Sequence, residues 1–365
     1  MGVLERDPDA TARQLEAWLT EVAGLAEVAV DQVTLPTATG WSNETVLFDA
    51  RWHDAAAGAA GDATDHRLVA RIAPSSYTVF PDDTFATQHE IMGALARHTD
   101  VPMAAIHWFE ADPSWFGQPF WIMERVDGDI ATDAPPYAGS GWLAEAGPED
   151  QARAWWSGIE AMAAVHRVDV AGLGLRGLVA ASDPVGAQLD LYERFLAWGE
   201  EDQPHHLARR ALVQLRATTP DLPALGPTLC WGDARLSNLI YRDFEVAAVL
   251  DWEMAAISDP LLDLGWWLFS DEALTTGSGC TRLGGFADRR ATAARWSALT
   301  GRATDALDWY ELFGGLRFTV IMLRMGKLFE QMGLMPGDFA YDNLISQALA
   351  RRLDAFERDG SLENI

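Results

Sequence analysis

Hydrophobic spacing in the first part of the chain predicts a helix followed by a strand hairpin. Apolar residues recur at helical intervals over residues 9–30, which is the period of an amphipathic helix. Val46 and Phe48 then alternate with polar neighbours, as in a half-buried strand, and Leu68–Ile72 predicts a second strand. The small residues between the two strands are typical of a turn, so we expect an antiparallel hairpin.

The elements that follow complete a small lobe. Phe85–His98 has the helical period, and Ala105–Glu110 predicts a short strand. The apolar run PFWIMERV predicts a strong strand at Pro119–Val126, which ends at the polar sequence DGD. Residues 1–126 are therefore predicted to form an N-terminal lobe built on a small antiparallel sheet.

Beyond residue 126 the pattern is mainly helical. Proline and glycine mark residues 133–148 as a connector, and helical periods cover residues 152–168 and most of residues 309–358. Residues 127–365 are therefore predicted to form a larger, mostly helical lobe. The chain as a whole is predicted to be an α+β protein with two lobes.

The composition argues against nucleic acid as a partner, a membrane span and a zinc site. The 365 residues are 49% hydrophobic, enough for a sizeable core, and their net charge of −27 disfavours nucleic acid as a partner. The sequence contains no uninterrupted run of 18 apolar residues, so no membrane-spanning helix is predicted. The charged N-terminal residues lack the apolar segment of a secretory signal. Cys230 and Cys280 form no CxxC pair of the kind that holds zinc. We expect a cytoplasmic protein, monomeric or homodimeric, with no membrane partner.

Several familiar signals carry no chemistry in this sequence. GLGLRG at residues 172–177 follows a predicted helix rather than a strand, so it is not expected to bind a dinucleotide. Neither an HExxH nor a GxSxG motif is present. His166 is expected to be a buried, hydrogen-bonded histidine, and His205 and His206 are expected to face solvent.

An aspartate and an asparagine in WGDARLSNLIY carry the strongest chemical signal. The spacing from Asp233 to Asn238 matches the D-x-x-x-x-N of a kinase catalytic loop. Taken alone, the stretch also fits a hairpin turn, which favours Gly, Asp and Asn. A further apolar strand at Ala247–Leu250 ends in Asp251, where a metal-binding aspartate is expected. Asn238 and Asp251 offer oxygen ligands suited to Mg²⁺, which leaves Asp233 to accept the proton of an attacking hydroxyl.

Features upstream follow the order expected of a kinase. A loop at Thr37–Asn43 precedes a strand that carries Arg71, and Glu90 in the next helix is placed to pair with that arginine. The strand PFWIMERV resembles the one that leads into the hinge between kinase lobes. Several features in the right order are more specific than any one of them.

These motifs together resemble the aminoglycoside phosphotransferase-like family of small-molecule kinases. Within it, the chain is most similar to the branch related to the kinase domains attached to some acyl-CoA dehydrogenases. The resemblance covers residues 30–330 and is carried by the segments WGDARLSNLIY, VLDWEMAAISDPLLDLGWWL, FWIMERVDGD, TGWSN and HEIMGAL.

The resemblance implies a fold, a reaction and a set of residues. The fold is two-lobed and protein-kinase-like, with a small antiparallel-sheet N-lobe. The reaction moves the terminal phosphate of ATP or GTP to a hydroxyl of a small molecule, with Asp233 as the catalytic residue and Mg²⁺ held by Asn238 and Asp251. The residues implied to contact the nucleotide are Ser42, Asn43, Arg71, Glu90, Glu124 and Val126.

Two residues depart from the family pattern. Trp231 stands where the family usually has a histidine that supports the catalytic loop, and Arg71 stands where it often has lysine. Arginine keeps the positive charge and can bind phosphate through two donors. These departures leave a rival interpretation open, namely a catalytically idle kinase-like protein that senses a nucleotide or metabolite.

The remaining roles are less specific. Asp259 and Asp263 are either helix-starting residues or braces of the catalytic loop, and we expect the second. Arg235 either lies at the surface or contacts phosphate or substrate, and Glu253 is expected to be structural. The acceptor stays open between an aminoglycoside, which suits the acidic chain, and an apolar or acyl hydroxyl compound, which suits its 16 tryptophans.

Overall fold

The described part of the chain divides into two compact units. The computed structural model describes residues 6–36, 43–53, 63–74, 78–201, 203–222 and 225–362. One unit comprises Met1–Phe85 with Ala104–Val126, and the other comprises Ala86–Met103 with Asp127–Ile365. The segment before residue 104 groups with the larger unit because the Val249 N–H donates to the Pro102 carbonyl at 2.9 Å.

The smaller unit is a helix on a five-stranded antiparallel sheet. The sheet order is β1-β2-β3-β5-β4, and β2 and β3 pair without interruption from Glu44↔Ile72 to His53↔Ala63. The predicted hairpin is therefore confirmed. The elements are α1 (Pro8–Glu21), β1 (Ala26–Thr34), β2 (Glu44–His53), β3 (Ala63–Ile72), β4 (Ile106–Glu110) and β5 (Phe120–Glu124), and α2 (Phe85–His98) begins at this unit's boundary.

The first predicted helix is too long. Helix α1 begins after the N-cap Asp7, whose side chain accepts the Ala10 N–H, and it ends at Glu21. The backbone at Gly24 has φ +72°, a left-handed conformation that ends the helix. The segment after it pairs as β1, so the prediction of a helix to residue 30 is wrong.

An aromatic and aliphatic core holds α1 on the sheet. Trp18 is 2% exposed, and its ring lies edge-on to Phe120 with the centroids 5.2 Å apart. The inward residues of β2, Val46 and Phe48, are completely buried. Burial that alternates along β2 is thus the physical cause of the pattern seen in the sequence.

The larger unit is mostly helical, with two small sheets ordered β6-β8-β9 and β7-β10. Its helices beyond α2 are α3 (Trp142–Glu145), α4 (Pro148–His166), α5 (Val170–Leu173), α6 (Pro184–Glu200), α7 (His206–Ala217), α8 (Leu261–Leu274), α9 (Arg289–Thr300), α10 (Leu307–Gln331) and α11 (Leu344–Asp359). Its strands are β6 (Asp129–Ile130), β7 (Thr228–Cys230), β8 (Leu239–Arg242), β9 (Glu245–Val249) and β10 (Ala256–Ser258). Among the described residues, no helix combines the length and apolar character needed to cross a membrane.

Glycines let α8 and α10 pack with their backbones close together. A Cβ on Gly265 would lie 2.5 Å from the Tyr310 carbonyl carbon, and one on Gly314 would lie 3.3 Å from the Gly265 oxygen. Helix α8 is buried along nearly its whole length. Its side chains are therefore held rigidly, and the candidate site depends on several of them.

We predict that Gly265→Ala lowers the free energy of unfolding by about 1–3 kcal/mol, because the added methyl group meets backbone atoms that cannot move away. Alanine is the better helix former by roughly 1 kcal/mol, and this gain offsets part of the loss. Gly284→Ala is the control, since a Cβ there meets nothing within 4 Å. Urea unfolding measures both variants, and equal stabilities for the two would contradict the close helix contact.

Candidate active site

The carboxylate of Asp233 is fixed by one of its oxygens. The residue is 5% exposed and follows β7 in the loop that leads to β8. The Trp266 indole N–H donates to Asp233 Oδ1 at 2.8 Å, and Arg235 Nε lies 3.0 Å from the same oxygen. Within the described residues Oδ2 has no hydrogen bond or ion pair, so it can accept a proton from a bound group.

Asn238 and Asp251 are brought to the same loop. The Asn238 side-chain amide donates from Nδ2 to the Asp233 carbonyl at 3.1 Å, which leaves its Oδ1 to face elsewhere. The Leu250 N–H donates to the Asn238 carbonyl at 2.9 Å. Asp251 follows with φ +60°, a left-handed conformation that aspartate tolerates better than most residues. The structure thus joins the three residues that the sequence singled out.

Trp231 connects the catalytic loop to Asp251. Its indole is completely buried, and the N–H donates to the carbonyls of Leu250 at 2.7 Å and Asp251 at 3.1 Å. The tryptophan therefore holds the backbone of Asp251 directly. The tryptophan is therefore packed at the position where the resemblance implies a histidine.

A buried carboxylate, Asp263, braces the loop from α8. Its Oδ2 accepts the Trp231 N–H at 2.6 Å and its Oδ1 accepts the Gly232 N–H at 2.8 Å. His166 Nε2 also lies 2.9 Å from Oδ2, while His166 Nδ1 accepts the Trp296 indole N–H at 3.0 Å. Because an indole N–H can only donate, Nδ1 is the acceptor and Nε2 carries the hydrogen that His166 gives to Asp263. The expected buried, hydrogen-bonded state of His166 is confirmed.

Gly232 and Arg317 complete the brace. Gly232 has φ +92°, and a Cβ on it would lie 2.0 Å from the Met254 carbonyl oxygen, so no other residue fits. Arg317 is 0% exposed, donates to the Gly232 carbonyl at 2.7 Å and lies over the Trp266 ring. Arg317 was not among the site residues predicted from the sequence. An arginine inside the apolar run LFGGLRFTVIML was the signal that could have found it.

Arg235 joins the catalytic loop to Asp133. Its Nη1 donates to Asp133 Oδ2 at 2.6 Å, and the Ser237 hydroxyl donates to the same oxygen at 3.1 Å. Burial acts to lower the pKa of Arg235, but the charges of Asp233, Asp133 and Asp251 outweigh it and the pKa is raised. Asp133 was missed because it lies in the segment that the sequence marks only as a connector.

Asp259 ties the start of α8 to α10. Its Oδ1 accepts the Leu261 N–H and its Oδ2 accepts the Tyr310 hydroxyl, each at 3.0 Å. Burial raises the pKa of the Asp259 carboxyl. The residue both starts the helix and supports the loop, because the Cys230 thiol at the end of β7 lies 3.5 Å from its carbonyl oxygen.

One histidine prediction is wrong. His205 is 3% exposed and accepts the Ala208 N–H at the start of α7, so it does not face solvent. Its neighbour His206 is exposed, as expected. The short polar sequence gives no sign that one of the two rings caps a helix.

The residues expected to contact the nucleotide lie partly in the smaller unit. Arg71 on β3 donates from Nη1 to the Thr45 hydroxyl on β2 at 3.3 Å, and Asn43 is buried just before β2. Ser42 lies outside the described residues. Their roles stay predictions.

Two more of these residues, Glu124 and Val126, lie at the end of β5 and just after it. Glu124 is its last residue, with Oε1 2.9 Å from His107 Nε2 on β4. Val126 is the last residue of the smaller unit. Glu124 thus belongs to a strand that pairs with both β3 and β4, and the nucleotide roles of Glu124 and Val126 stay predictions.

Glu90 binds the backbone of the glycine-rich segment GLGLRG. Its two carboxylate oxygens accept the N–H groups of Arg176 and Gly177, each at 2.8 Å. Burial acts to raise the pKa of Glu90, and these two backbone donors outweigh it, so the pKa is lowered. Part of this segment is therefore used to hold a carboxylate of the same chain. A carboxylate can accept more than two hydrogen bonds, and the pairing of Glu90 with Arg71 stays a prediction.

The candidate metal ligands form a small donor set. Among the described residues, no three His, Cys, Asp or Glu side chains gather as a metal cluster. Mg²⁺ is commonly bound through one or two carboxylates together with substrate phosphates and water. An amide oxygen and one carboxylate, from Asn238 and Asp251, fit an ion that is carried by a nucleotide.

The sequence of the chain matches a protein-family model and several curated proteins. Residues 33–307 match the model of the phosphotransferase enzyme family APH. Acyl-CoA dehydrogenase family member 11 of Gallus gallus is 31% identical over 159 residues, which are 43% of this chain and 19% of that protein. The chain spans about a fifth of the length of the curated relatives that it matches.

Solved structures show the same fold. A Ralstonia eutropha protein assigned to the aminoglycoside phosphotransferases has a TM-score of 0.69 at 21% identity, over 94% of this chain and 98% of that one. A thermostable mutant of the aminoglycoside phosphotransferase APH(4)-Ia, in ternary complex with ADP and hygromycin B, has a TM-score of 0.60 at 17% identity, over 95% and 99%. The predicted kinase-like two-lobed α+β fold is confirmed.

We predict that Asp263→Asn lowers the free energy of unfolding by about 2–4 kcal/mol. The amide nitrogen cannot accept, so at least one of the three buried donors around it loses its partner. Asp305→Asn, at an exposed position, is the control and should change stability by less than about 0.5 kcal/mol. Urea unfolding of the two variants decides, and a loss below about 1 kcal/mol for Asp263→Asn would show that the brace is not needed.

Proposed function

Because the chain belongs to the phosphotransferase enzyme family, we propose that it transfers the terminal phosphate of ATP or GTP to a hydroxyl group of a small molecule and requires Mg²⁺. One observation carries the proposal. Asp233 is held through Oδ1 alone, at a loop that also holds Asn238 and Asp251. The solved structure that carries ADP and hygromycin B supports a nucleotide and a small hydroxylated acceptor as the two substrates.

In this proposal Asp233 orients the acceptor hydroxyl and accepts its proton. The hydrogen bond from Trp266 and the ion pair with Arg235 fix Oδ1, so the direction of Oδ2 is set before the acceptor binds. Positioning of this kind lowers the barrier because phosphoryl transfer needs mainly alignment and charge neutralisation. Arg235 would also offset negative charge that develops on the transferring group.

Asn238 and Asp251 would hold the metal ion, the first through its amide oxygen and the second through its carboxylate. When bound, Mg²⁺ would neutralise charge on the phosphate oxygens. The protein would keep the two ligands in place through the backbone N–H of Leu250, which donates to the Asn238 carbonyl, and the indole N–H of Trp231, which donates to the Leu250 and Asp251 carbonyls.

A cation is still needed on the phosphates, and we assign that role to Arg71. The one lysine of the chain, Lys327, donates to the Glu200 carbonyl at 2.9 Å and lies 3.1 Å from Glu201. It is therefore committed elsewhere. The other residues that we assign to the nucleotide are Ser42, Asn43, Glu90, Glu124 and Val126.

The rival function, a catalytically idle sensor, gains little from the structure. It was kept open by Trp231 and Arg71, yet Trp231 fixes the backbone of Asp251 rather than displacing it. A screen of hydroxylated metabolites and aminoglycosides for ADP release tests the proposed function. ADP release that depends on an acceptor supports a phosphotransferase, whereas nucleotide binding without any turnover across the panel would favour the sensor.

We predict that Asp233→Asn lowers kcat for phosphoryl transfer by at least about a hundredfold, because the amide cannot accept the proton of the hydroxyl. Nucleotide affinity should change little, since Asp233 is not assigned to the nucleotide or the metal. ADP release with an acceptor found in the screen gives kcat, and calorimetry with AMP-PNP gives the affinity. Turnover near that of the wild type would overturn the role given to Asp233.

We predict that Mg²⁺ strengthens nucleotide binding and that Asp251→Asn removes most of this gain. Asparagine tolerates the left-handed backbone at this position but lacks the charge, so binding in Mg²⁺ should weaken at least about tenfold, or 1.4 kcal/mol. The matched control is Asp243→Asn, an exposed aspartate in the turn between β8 and β9 with φ +52°. Titration calorimetry with and without Mg²⁺ measures both variants. Identical affinities in the two conditions for the wild type would exclude the proposed metal site.

A further inference from the structure

A small cavity lies beside the catalytic loop, within the larger unit. Its volume is about 10 Å³, which is close to what one water-sized group needs. One face of α8 lines it with Trp267, Ser270 and Asp271. Asp133 and Arg235 also belong to its lining.

Four residues of the lining carry buried polar atoms that have no hydrogen-bond partner in the described part of the chain: Asp133 Oδ1, Trp267 Nε1, Ser270 Oγ and Arg235 Nε. Arg235 Nε lies in an ion pair 3.0 Å from Asp233 Oδ1, so the other three atoms are the ones left for a bound group. A buried polar atom without a partner is destabilising, so native proteins keep few of them. Three such atoms around one cavity indicate a site that is completed by a bound group.

Ser270 shows that the orphaned state is not forced by the helix. A serine or threonine in a helix can donate to the carbonyl four residues earlier. Thr275 and Ser278 do so on the same segment, at 2.5 and 2.9 Å. Ser270 is 1% exposed and makes no such bond, so its hydroxyl is left to another partner.

The three atoms select the chemistry of that partner. The Trp267 indole N–H can only donate, the Asp133 carboxylate oxygen can only accept, and the Ser270 hydroxyl can do both. An ammonium group only donates and would face the indole hydrogen. A carboxylate or phosphate only accepts and would face Asp133. A neutral hydroxyl both donates and accepts, so it fits all three atoms.

The cavity lies next to the catalytic carboxylate. Arg235 contacts Asp133 and Asp233 at the same time, at 2.6 and 3.0 Å. Trp266, the residue before Trp267, donates to Asp233. The Asp133 and Arg235 side chains are 29% and 22% exposed, whereas Trp267 is 1% exposed. The cavity thus lies between two partly exposed side chains, one of them in the catalytic loop, and a buried face of α8.

We propose that this cavity binds a hydroxyl group of the acceptor other than the one that is phosphorylated. The proposal rests on the proposed function and deepens it, because it assigns the acceptor to neutral compounds with at least two hydroxyl groups. A water molecule has the same donor and acceptor chemistry and is the alternative occupant. If an acceptor hydroxyl is the occupant, a compound with two hydroxyl groups should bind through the three atoms, and removing one of them should weaken its binding. If water is the occupant, removing one of the atoms should not change the binding of such a compound.

The experiment uses three probes with one four-carbon frame and one common hydroxyl. They are butane-1,4-diol, 4-aminobutan-1-ol and 4-hydroxybutanoate, which carry a neutral, a cationic and an anionic second group. Ligand-observed NMR measures their binding to the full chain in the presence of Mg²⁺ and AMP-PNP. The variants are Ser270→Ala and Trp267→Phe, each of which removes one orphaned atom.

Matched controls remove polar atoms that do have partners. The Ser258 hydroxyl donates to the Pro184 carbonyl, and the Trp309 indole donates to the Leu215 carbonyl. Ser258→Ala and Trp309→Phe should leave diol binding unchanged. Thermal unfolding of every variant shows that it is folded. Ser270→Ala should melt no lower than the wild type, because the hydroxyl that it removes has no partner, and Ser258→Ala should melt lower.

We expect the diol to bind the wild type at least about threefold more tightly than either charged probe, and Ser270→Ala and Trp267→Phe each to weaken the diol by a similar factor. Equal binding of the three probes, diol binding that neither variant changes, or no diol binding would overturn the proposal and leave water as the occupant. AMP-PNP affinity is measured in the same samples. If the wild type does not bind AMP-PNP, the proposed function is contradicted, independently of the result for the diol.

Discussion

The buried carboxylate of Asp263 is the contact on which the site depends most. It lies on α8, accepts two backbone N–H groups of the catalytic loop, and receives a third hydrogen from His166 on α4. A carboxylate removed from water is costly unless its lone pairs are met by donors, and here the donors come from two separate segments, the loop and α4. The hydrogen bonds to the single charge of Asp263 therefore hold the catalytic loop against α8 and α4. Asp233 is two residues from Trp231, so its position follows from this brace before any ligand binds.

Arginine supplies the internal positive charge in a chain that has one lysine and a net charge of −27. Arg317 donates to the Gly232 carbonyl and lies over Trp266, and Arg235 connects Asp133 with Asp233. A guanidinium offers several donors in a fixed plane and stacks on aromatic rings, which an ammonium group does not match. Each of these arginines joins the catalytic loop to another segment, so both work as structural links as well as charges. The same geometry places a cation within 3.0 Å of the proposed catalytic carboxylate without displacing its second oxygen.

The sequence predicts those parts of the fold that local pattern decides. The bounds of Phe85–His98 and the hairpin of β2 and β3 follow from periodicity, because burial on one face imposes the period. Asp233, Asn238 and Asp251 follow from spacing, because the loop between two strands has a fixed length. The end of α1 was missed since Leu25 continues the helical period beyond Gly24, and only the strand pairing of β1 shows the change. The partners of Asp133 and Arg317 lie 102 and 85 residues away, so the local sequence does not show what either residue contacts, although the arginine within an apolar run marks position 317 as unusual.

Trp231, which stands where the family usually has histidine, holds the backbone of Asp251 in place. Asp251 has a left-handed backbone, a conformation that costs energy in a residue with a side chain. Such a conformation persists only where the surroundings determine it, and Trp231 does so by donating to the carbonyls on both sides of the bond between Leu250 and Asp251. A large indole in a completely buried position also needs the neighbouring packing to accept it, and Trp252 packs beside it with the ring centroids 6.3 Å apart. The departure from the usual histidine therefore keeps a strained aspartate directed by the same loop as Asp233. That is the arrangement that the metal-binding role proposed for Asp251 needs.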